Sequence, residues 1–219
     1  MLDYAQARRL MVDCQLRTFD VNSVTVLDAF EDVPRERFVP PGREDFAYID
    51  QTLSLDGGGG DVRPMPAPMM LARMIQALDL EAGAKVLDVG TGYGYAAAIL
   101  RHLGADVVAV ESSATLAAGA RERLGDRTGI AVVEAPREAG APEAGPYDAI
   151  LVNGRVEVRP QALLEQLKEG GRLVCVFGPS RAAKATLFVR TGDAFGARPL
   201  FDASLPGLGA FATANAFAF

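Results

Sequence analysis

Val86-Leu87-Asp88-Val89-Gly90-Thr91-Gly92-Tyr93-Gly94-Tyr95 joins a short apolar run to a glycine-rich turn and then to a stretch of helix formers. In an open parallel sheet, the crevice beyond the carboxyl end of such a strand is where nucleotides bind. Glycines there let the backbone turn tightly and approach a ligand closely. A dinucleotide fingerprint reads G-x-G-x-x-G and would need its third glycine where Tyr95 stands. The spacing here is G-x-G-x-G.

Asp88, two residues before the first glycine, adds a negative charge at the turn. That charge is a poor neighbour for a pyrophosphate and a tolerable one for a cationic sulfonium, so the motif favours S-adenosylmethionine over NAD. A second acid supports this reading. Asp106-Val107-Val108-Ala109-Val110-Glu111 is strand-like and ends in a carboxylate 21 residues after Gly90, where it can accept hydrogen bonds from both ribose hydroxyls. Ser112 follows it, and Asn153 stands just past the apolar run Ala149 to Val152, at the same end of the sheet. The expected cofactor-binding set is therefore Asp88, Gly90, Thr91, Gly92, Tyr93, Gly94, Glu111, Ser112 and Asn153. For any one of these, a tight strand-helix turn or a solvated strand end is an adequate explanation; their order along the chain is what carries the inference. Asn153-Gly154 also suits an ordinary turn.

Outward from the motif, apolar runs alternate with helical stretches: Lys85 to Val89, Tyr95 to Leu103, Asp106 to Val110, Ala114 to Leu124, Ile130 to Val133, Ala149 to Val152, Gln161 to Leu167 and Leu173 to Phe177. This alternation predicts a mostly parallel sheet with helices on both faces, an α/β, Rossmann-like architecture. Thr186 to Arg190, the Thr191-Gly192-Asp193 turn and β-prone runs near Leu200 and Phe217 predict an antiparallel C-terminal edge. Upstream, helical periodicity over Tyr4 to Arg17 and from Asn22 or Ser23 to Glu31 predicts a cover over the sheet. Phe38 to Pro68 reads as loop, including four consecutive glycines, Gly57 to Gly60, suited to a lid hinge or a plain flexible tip; a further helix begins at Pro68. The whole is expected to be one domain, 1–219, with 1–80 as cover and loop and 81–219 as core.

The 219 residues carry a net charge of −6 with a pI near 4.9, which disfavours nucleic-acid phosphates and anionic lipid as partners. No apolar run approaches the length of a bilayer span, and the first residues lack the cationic and apolar regions of a signal peptide, so a cytoplasmic location is expected. Cys14, Cys175 and His102 are the only cysteines and histidine, and their spacing offers no metal site. Cys175 reads as a buried small hydrophobe, and His102 as a surface or boundary residue.

Further stretches widen the picture: Met11-Val12-Asp13-Cys14-Gln15-Leu16-Arg17, Val33-Pro34-Arg35-Glu36-Arg37-Phe38-Val39-Pro40, Ala47-Tyr48-Ile49-Asp50, Pro146 to Val152 and Leu163 to Val174. With these, residues 8–178 resemble the protein-L-isoaspartate O-methyltransferase family. The resemblance implies a class I S-adenosylmethionine-dependent methyltransferase fold, S-adenosylmethionine as cofactor, and a protein or peptide carboxylate or a small-molecule acceptor as partner. It assigns no catalytic residue, because a methyl donor with a built-in leaving group needs alignment more than acid or base help.

Two departures qualify what the resemblance implies. Where the family carries Thr-Ile-Ser-x-Pro, whose hydroxyls are implicated in acceptor binding, this chain has Pro64-Met65-Pro66-Ala67-Pro68. That argues for a carboxylate acceptor other than, or besides, isoaspartate. Where relatives place an acid near the adenine, this chain has Pro136, with Glu134 and Glu138 as substitutes. Arg63 is a candidate partner for an acceptor carboxylate, though an arginine in a glycine-rich loop is more often solvated. Two other readings stand beside the enzyme: a non-catalytic or regulatory relative that keeps the fold and binds S-adenosylmethionine or a partner, and an NAD-dependent oxidoreductase, which the glycine spacing disfavours.

Overall fold

The computed structural model describes residues 2–58 and 62–211. Two helices open the chain, α1 (Tyr4–Met11) and α2 (Val24–Asp32). Each begins where a short polar side chain satisfies a free backbone N–H: Asp3 accepts from Gln6, and Ser23 from Val26. Beyond α1 the coil continues as a π turn over Val12–Leu16 and a 3-10 turn over Arg17–Phe19. The helical periodicity out to Arg17 is thus real but not one regular helix.

The stretch read as loop contains a hairpin, β1 (Leu53–Asp56) paired antiparallel with β2 (Val62–Met65). Four-residue strands are too short for a decisive period, and the glycines between them mask the pattern. Of the tetraglycine, Gly59 and Gly60 lie outside the described residues. Helix α3 (Pro68–Leu78) starts on its proline.

The core follows the predicted alternation: β3 (Lys85–Val89), α4 (Tyr95–His102), β4 (Asp106–Glu111), α5 (Ala114–Leu124), β5 (Ile130–Glu134), β6 (Tyr147–Val156), α6 (Gln161–Leu164), β7 (Leu167–Phe177), β8 (Lys184–Thr191) and β9 (Ala194–Asp202). The seven strands lie in the order β5-β4-β3-β6-β7-β8-β9. β3 to β7 are parallel, and β8 and β9 form the antiparallel edge. The predicted strand near Phe217 lies outside the described residues.

Helix α6 is one turn, shorter than Gln161 to Leu167, because Leu167 already pairs with Tyr147. β7 then loops outward before Arg172 pairs with Ala149. Its polar Lys168-Glu169-Gly170-Gly171 segment hides the strand from a search for apolar runs.

The chain travels outward from β3 through β4 to β5, then returns to the other side of β3 for β6 and β7. Right-handed crossovers send the helices of the two halves to opposite faces. On one face Val86, Val107, Ala109, Leu151 and Val174 pack with α3, α4, α5 and the N-terminal cover. On the other, Leu87, Val89, Val110, Ile150 and Cys175 pack with Leu163 and Leu164 of α6 and with Leu208 and Phe211 of the C-terminal segment. The order reverses at β3, so the carboxyl ends of β3, β4 and β6 frame a single crevice. No helix is long and apolar enough to cross a membrane among the described residues.

Candidate functional site

The glycine turn sits at the carboxyl end of β3, where Gly90, Gly92 and Gly94 have φ of +71°, +57° and +91°. These values are left-handed and cost any other residue strain. The three glycines serve different neighbours. A Cβ on Gly94 would lie 2.9 Å from Leu124 Cδ1, so this glycine lets α5 pack closely on the turn. A Cβ on Gly92 would lie 2.5 Å from Leu55 Cδ1, and one on Gly90 would face Leu208 and Arg137. The Tyr93 side chain turns away toward α5, where Arg123 stacks 3.8 Å from its ring centroid; only its backbone belongs to the turn.

Asp88, Thr91 and Asn153 form one cluster. The Asp88 carboxylate is fully buried and accepts 2.6 Å hydrogen bonds from Thr91 Oγ1 and Asn153 Nδ2. Burial pushes its pKa up to about 6, against the lowering effect of these two donors, while nearby Glu111 adds a smaller upward push. Asn153 is inside β6 and 3% exposed, not in a surface turn. Its Oδ1 is buried and has no hydrogen-bond partner.

Glu111 organises the second cluster. Its Oε1 accepts the backbone N–H groups of Ser112 at 2.8 Å and Ser113 at 3.0 Å, and its Oε2 accepts that of Gly92 at 3.1 Å. The structure adds a partner that the sequence did not announce. Arg63, expected to be solvated or to meet an acceptor, is fully buried on β2; it donates from Nε to Glu111 Oε1 at 2.9 Å and from Nη2 to Ser112 Oγ at 2.8 Å. Leu55, its cross-strand partner, covers Gly92. Between hairpin, glycine turn and Asn153 about 10 Å³ stays free, room for no more than a water.

The far end of β4 and β5 is more open. Ser112, Pro136 and Arg137 line a surface cavity of about 380 Å³, and both Glu134 and Glu138 are exposed there.

A family model described as protein-L-isoaspartate(D-aspartate) O-methyltransferase matches residues 6–198. The chain belongs to that family. Like the rest of the protein-L-isoaspartate O-methyltransferase family, it is an S-adenosylmethionine-dependent methyltransferase. A protein-L-isoaspartate O-methyltransferase of Methylorubrum extorquens is 41% identical over 200 residues, 90% of this chain and 85% of that protein. Another, from Marinobacter nauticus, is 42% identical over 80% of each chain. A solved structure of a protein-L-isoaspartate O-methyltransferase superposes with a TM-score of 0.81 at 28% identity, covering 92% of this chain and 66% of that one. A second, a putative family member from Plasmodium falciparum in complex with S-adenosylhomocysteine, gives 0.78 at 17% identity over 96% of this chain and all of that one; at that identity the likeness speaks for the fold.

The residues suit the family's cofactor in kind. A buried carboxylate ends the second core strand, a glycine turn faces it, and the unpartnered Asn153 Oδ1 offers an acceptor for an ammonium group. Against the family pattern, the Pro64–Pro68 segment presents no hydroxyl. Its Pro66 carbonyl accepts 2.8 Å from Arg35 Nη2, which also ties the segment to the cover through Arg35 Nε and the Ala47 carbonyl.

Proposed function

We propose that the chain transfers a methyl group to a carboxylate of a protein or peptide other than, or besides, isoaspartate, with the crevice at β3, β4 and β6 as its S-adenosylmethionine site. The observation that carries this is Glu111, a fully buried carboxylate facing the backbone of Gly92 at the topological switch point. In this reading Glu111 holds the ribose hydroxyls, Ser112 and the Pro136–Arg137 segment flank the adenine, and Gly90 and Gly92 let the chain pass close to the ligand. Asp88 and Asn153 face the amino-acid end, Asp88 through its charge and Asn153 through Oδ1.

When bound, S-adenosylmethionine supplies an electrophilic methyl carbon on a sulfonium. A carboxylate oxygen forms the new C–O bond as the C–S bond breaks, giving a methyl ester and S-adenosylhomocysteine. The protein aligns the two and excludes water, and such alignment is worth up to about 7 to 11 kcal/mol. Charge is partly neutralised as the reaction proceeds, so a dry site favours it.

The altered loop supports the choice of acceptor. Prolines at 64 and 66 leave no hydroxyl to hold an isoaspartyl group. A surface cavity of about 730 Å³ beside Tyr93, lined by Arg43, Phe46, Ile49, Ser54 and Asp56 among others, offers one cation, one carboxylate and apolar contacts for a peptide. The net charge of −6 fits a protein that acts on neither nucleic acid nor anionic lipid.

Calorimetric titration with S-adenosylmethionine and S-adenosylhomocysteine, with NAD as control, tests the site. Micromolar binding of the first two alone is the expected result, and binding of NAD instead would overturn the reading. Radiolabelled methyl transfer to isoaspartyl peptides, ordinary aspartyl and glutamyl peptides and small dicarboxylates then tests the acceptor. A strong preference for the isoaspartyl peptide would overturn the proposed shift in substrate.

A further inference from the structure

Among the described residues the hairpin β1–β2 forms a two-stranded sheet of its own, separate from the seven-stranded one. Two side chains on one face of it, opposite each other in register at Leu55 and Arg63, reach into the crevice. Leu55 lies over Gly92, at the point where a ligand would need the backbone bare. Arg63 occupies Glu111 and Ser112 with two donors of one planar fork. A ribose diol also presents two adjacent donors to a carboxylate at a strand end. The guanidinium therefore competes with a nucleoside's hydroxyls for Glu111: Oε1 already accepts Arg63, Ser112 and Ser113 while Oε2 accepts Gly92, so a diol that reaches for both oxygens must displace Arg63 from Oε1.

The pair is 1% and 0% exposed. A buried ion pair of this kind owes its persistence to mutual compensation, because either charge left alone in the interior is costly. Near its tip Ser113 Oγ also donates to the Gly57 carbonyl at 2.7 Å.

We infer that the hairpin is a self-occupying latch on the cofactor site, in which Arg63 substitutes for the nucleoside diol on Glu111, so that the cofactor enters only as Arg63 and Leu55 withdraw. The inference rests on the nucleoside reading of Glu111 given above. It makes cofactor affinity the intrinsic affinity reduced by the fraction of molecules whose latch is open. The latch also gives a route for release of S-adenosylhomocysteine, since Arg63 can retake the carboxylate as the product leaves.

The test is calorimetric titration of S-adenosylhomocysteine into the full-length protein and its Arg63→Met and Leu55→Ala variants, with thermal unfolding in parallel. A latch predicts that Arg63→Met binds about tenfold tighter or more, that Leu55→Ala shifts affinity in the same direction, and that the ligand raises the Tm of Arg63→Met more than that of the parent. Unchanged or weaker binding by a folded Arg63→Met protein would overturn the latch and leave the cofactor site standing, provided the parent binds. If neither parent nor variants bind, both the latch and the cofactor reading fall. If Arg63→Met fails to fold, hydrogen exchange on the parent decides. Ligand-induced loss of protection at the backbone amides of residues 53–56, 62, 63 and 65 supports withdrawal, and gained protection there refutes it.

Discussion

Asp88 shows how one position joins sequence, environment and pH. Its place before the glycine turn is legible from the motif, but its chemistry is set by full burial between Thr91 and Asn153. Burial raises its folded-state pKa to about 6, above the unfolded value of roughly 3.9. Between those values the native state binds more protons than the unfolded chain, so its contribution to stability falls as pH rises from about 4 to about 6 and is level above that. The Tm measured against pH for the parent and for Asp88→Asn should therefore differ in slope over that window, with the parent losing stability relative to the variant as pH rises. Parallel curves would show that Asp88 does not titrate there.

At the scale of elements, the cover and the proline segment are joined by a buried cation. Arg35 is fully buried and bridges the Ala47 and Pro66 carbonyls. It also lies 4.9 Å from the centre of the Tyr95 ring at the start of α4. Desolvation lowers its pKa, although an arginine stays charged throughout the ordinary range. One side chain thus fixes the cover, the substituted loop and the helix after the glycine turn in mutual register. Arg35→Met keeps much of the volume and removes both charge-assisted hydrogen bonds, so it should cost about 3 kcal/mol in urea unfolding. A loss below about 1 kcal/mol would mean that packing alone holds these elements. The motif Val33-Pro34-Arg35-Glu36 was legible as part of the family's cover, but no period or spacing signals that its arginine points inward.

The whole molecule divides its two cysteines by topology. Cys14 is exposed on the cover, whereas Cys175 is fully buried on the interior strand β7, where burial also pushes its thiol pKa up. Under native conditions a thiol reagent should therefore titrate one cysteine rapidly, and the second only after denaturation. Rapid labelling of both would mean that the face of the sheet under α6 opens readily. Among the described residues that face is covered by a single helical turn, by the segment after β5 with Ala141, and by the C-terminal segment with Leu208 and Phe211. The opposite face carries three full helices and the cover. The asymmetry makes the edge beneath α6 the place where native-state opening is cheapest.

The parallel core, the order of β3, α4, β4, α5 and β5, the antiparallel edge and the places of Asp88, the glycines and Glu111 are legible in the amino-acid sequence. These rest on periodicity and on backbone geometry that only glycine adopts freely, which are local properties written in neighbouring residues. What each of those residues meets follows from the folded arrangement. It gave Gly94 to Leu124, turned Tyr93 toward α5, placed Asn153 inside a strand and brought Arg63 across 48 positions to Glu111. A buried ion pair forms where two distant charges exclude water together, and no local pattern records which partner folding will bring.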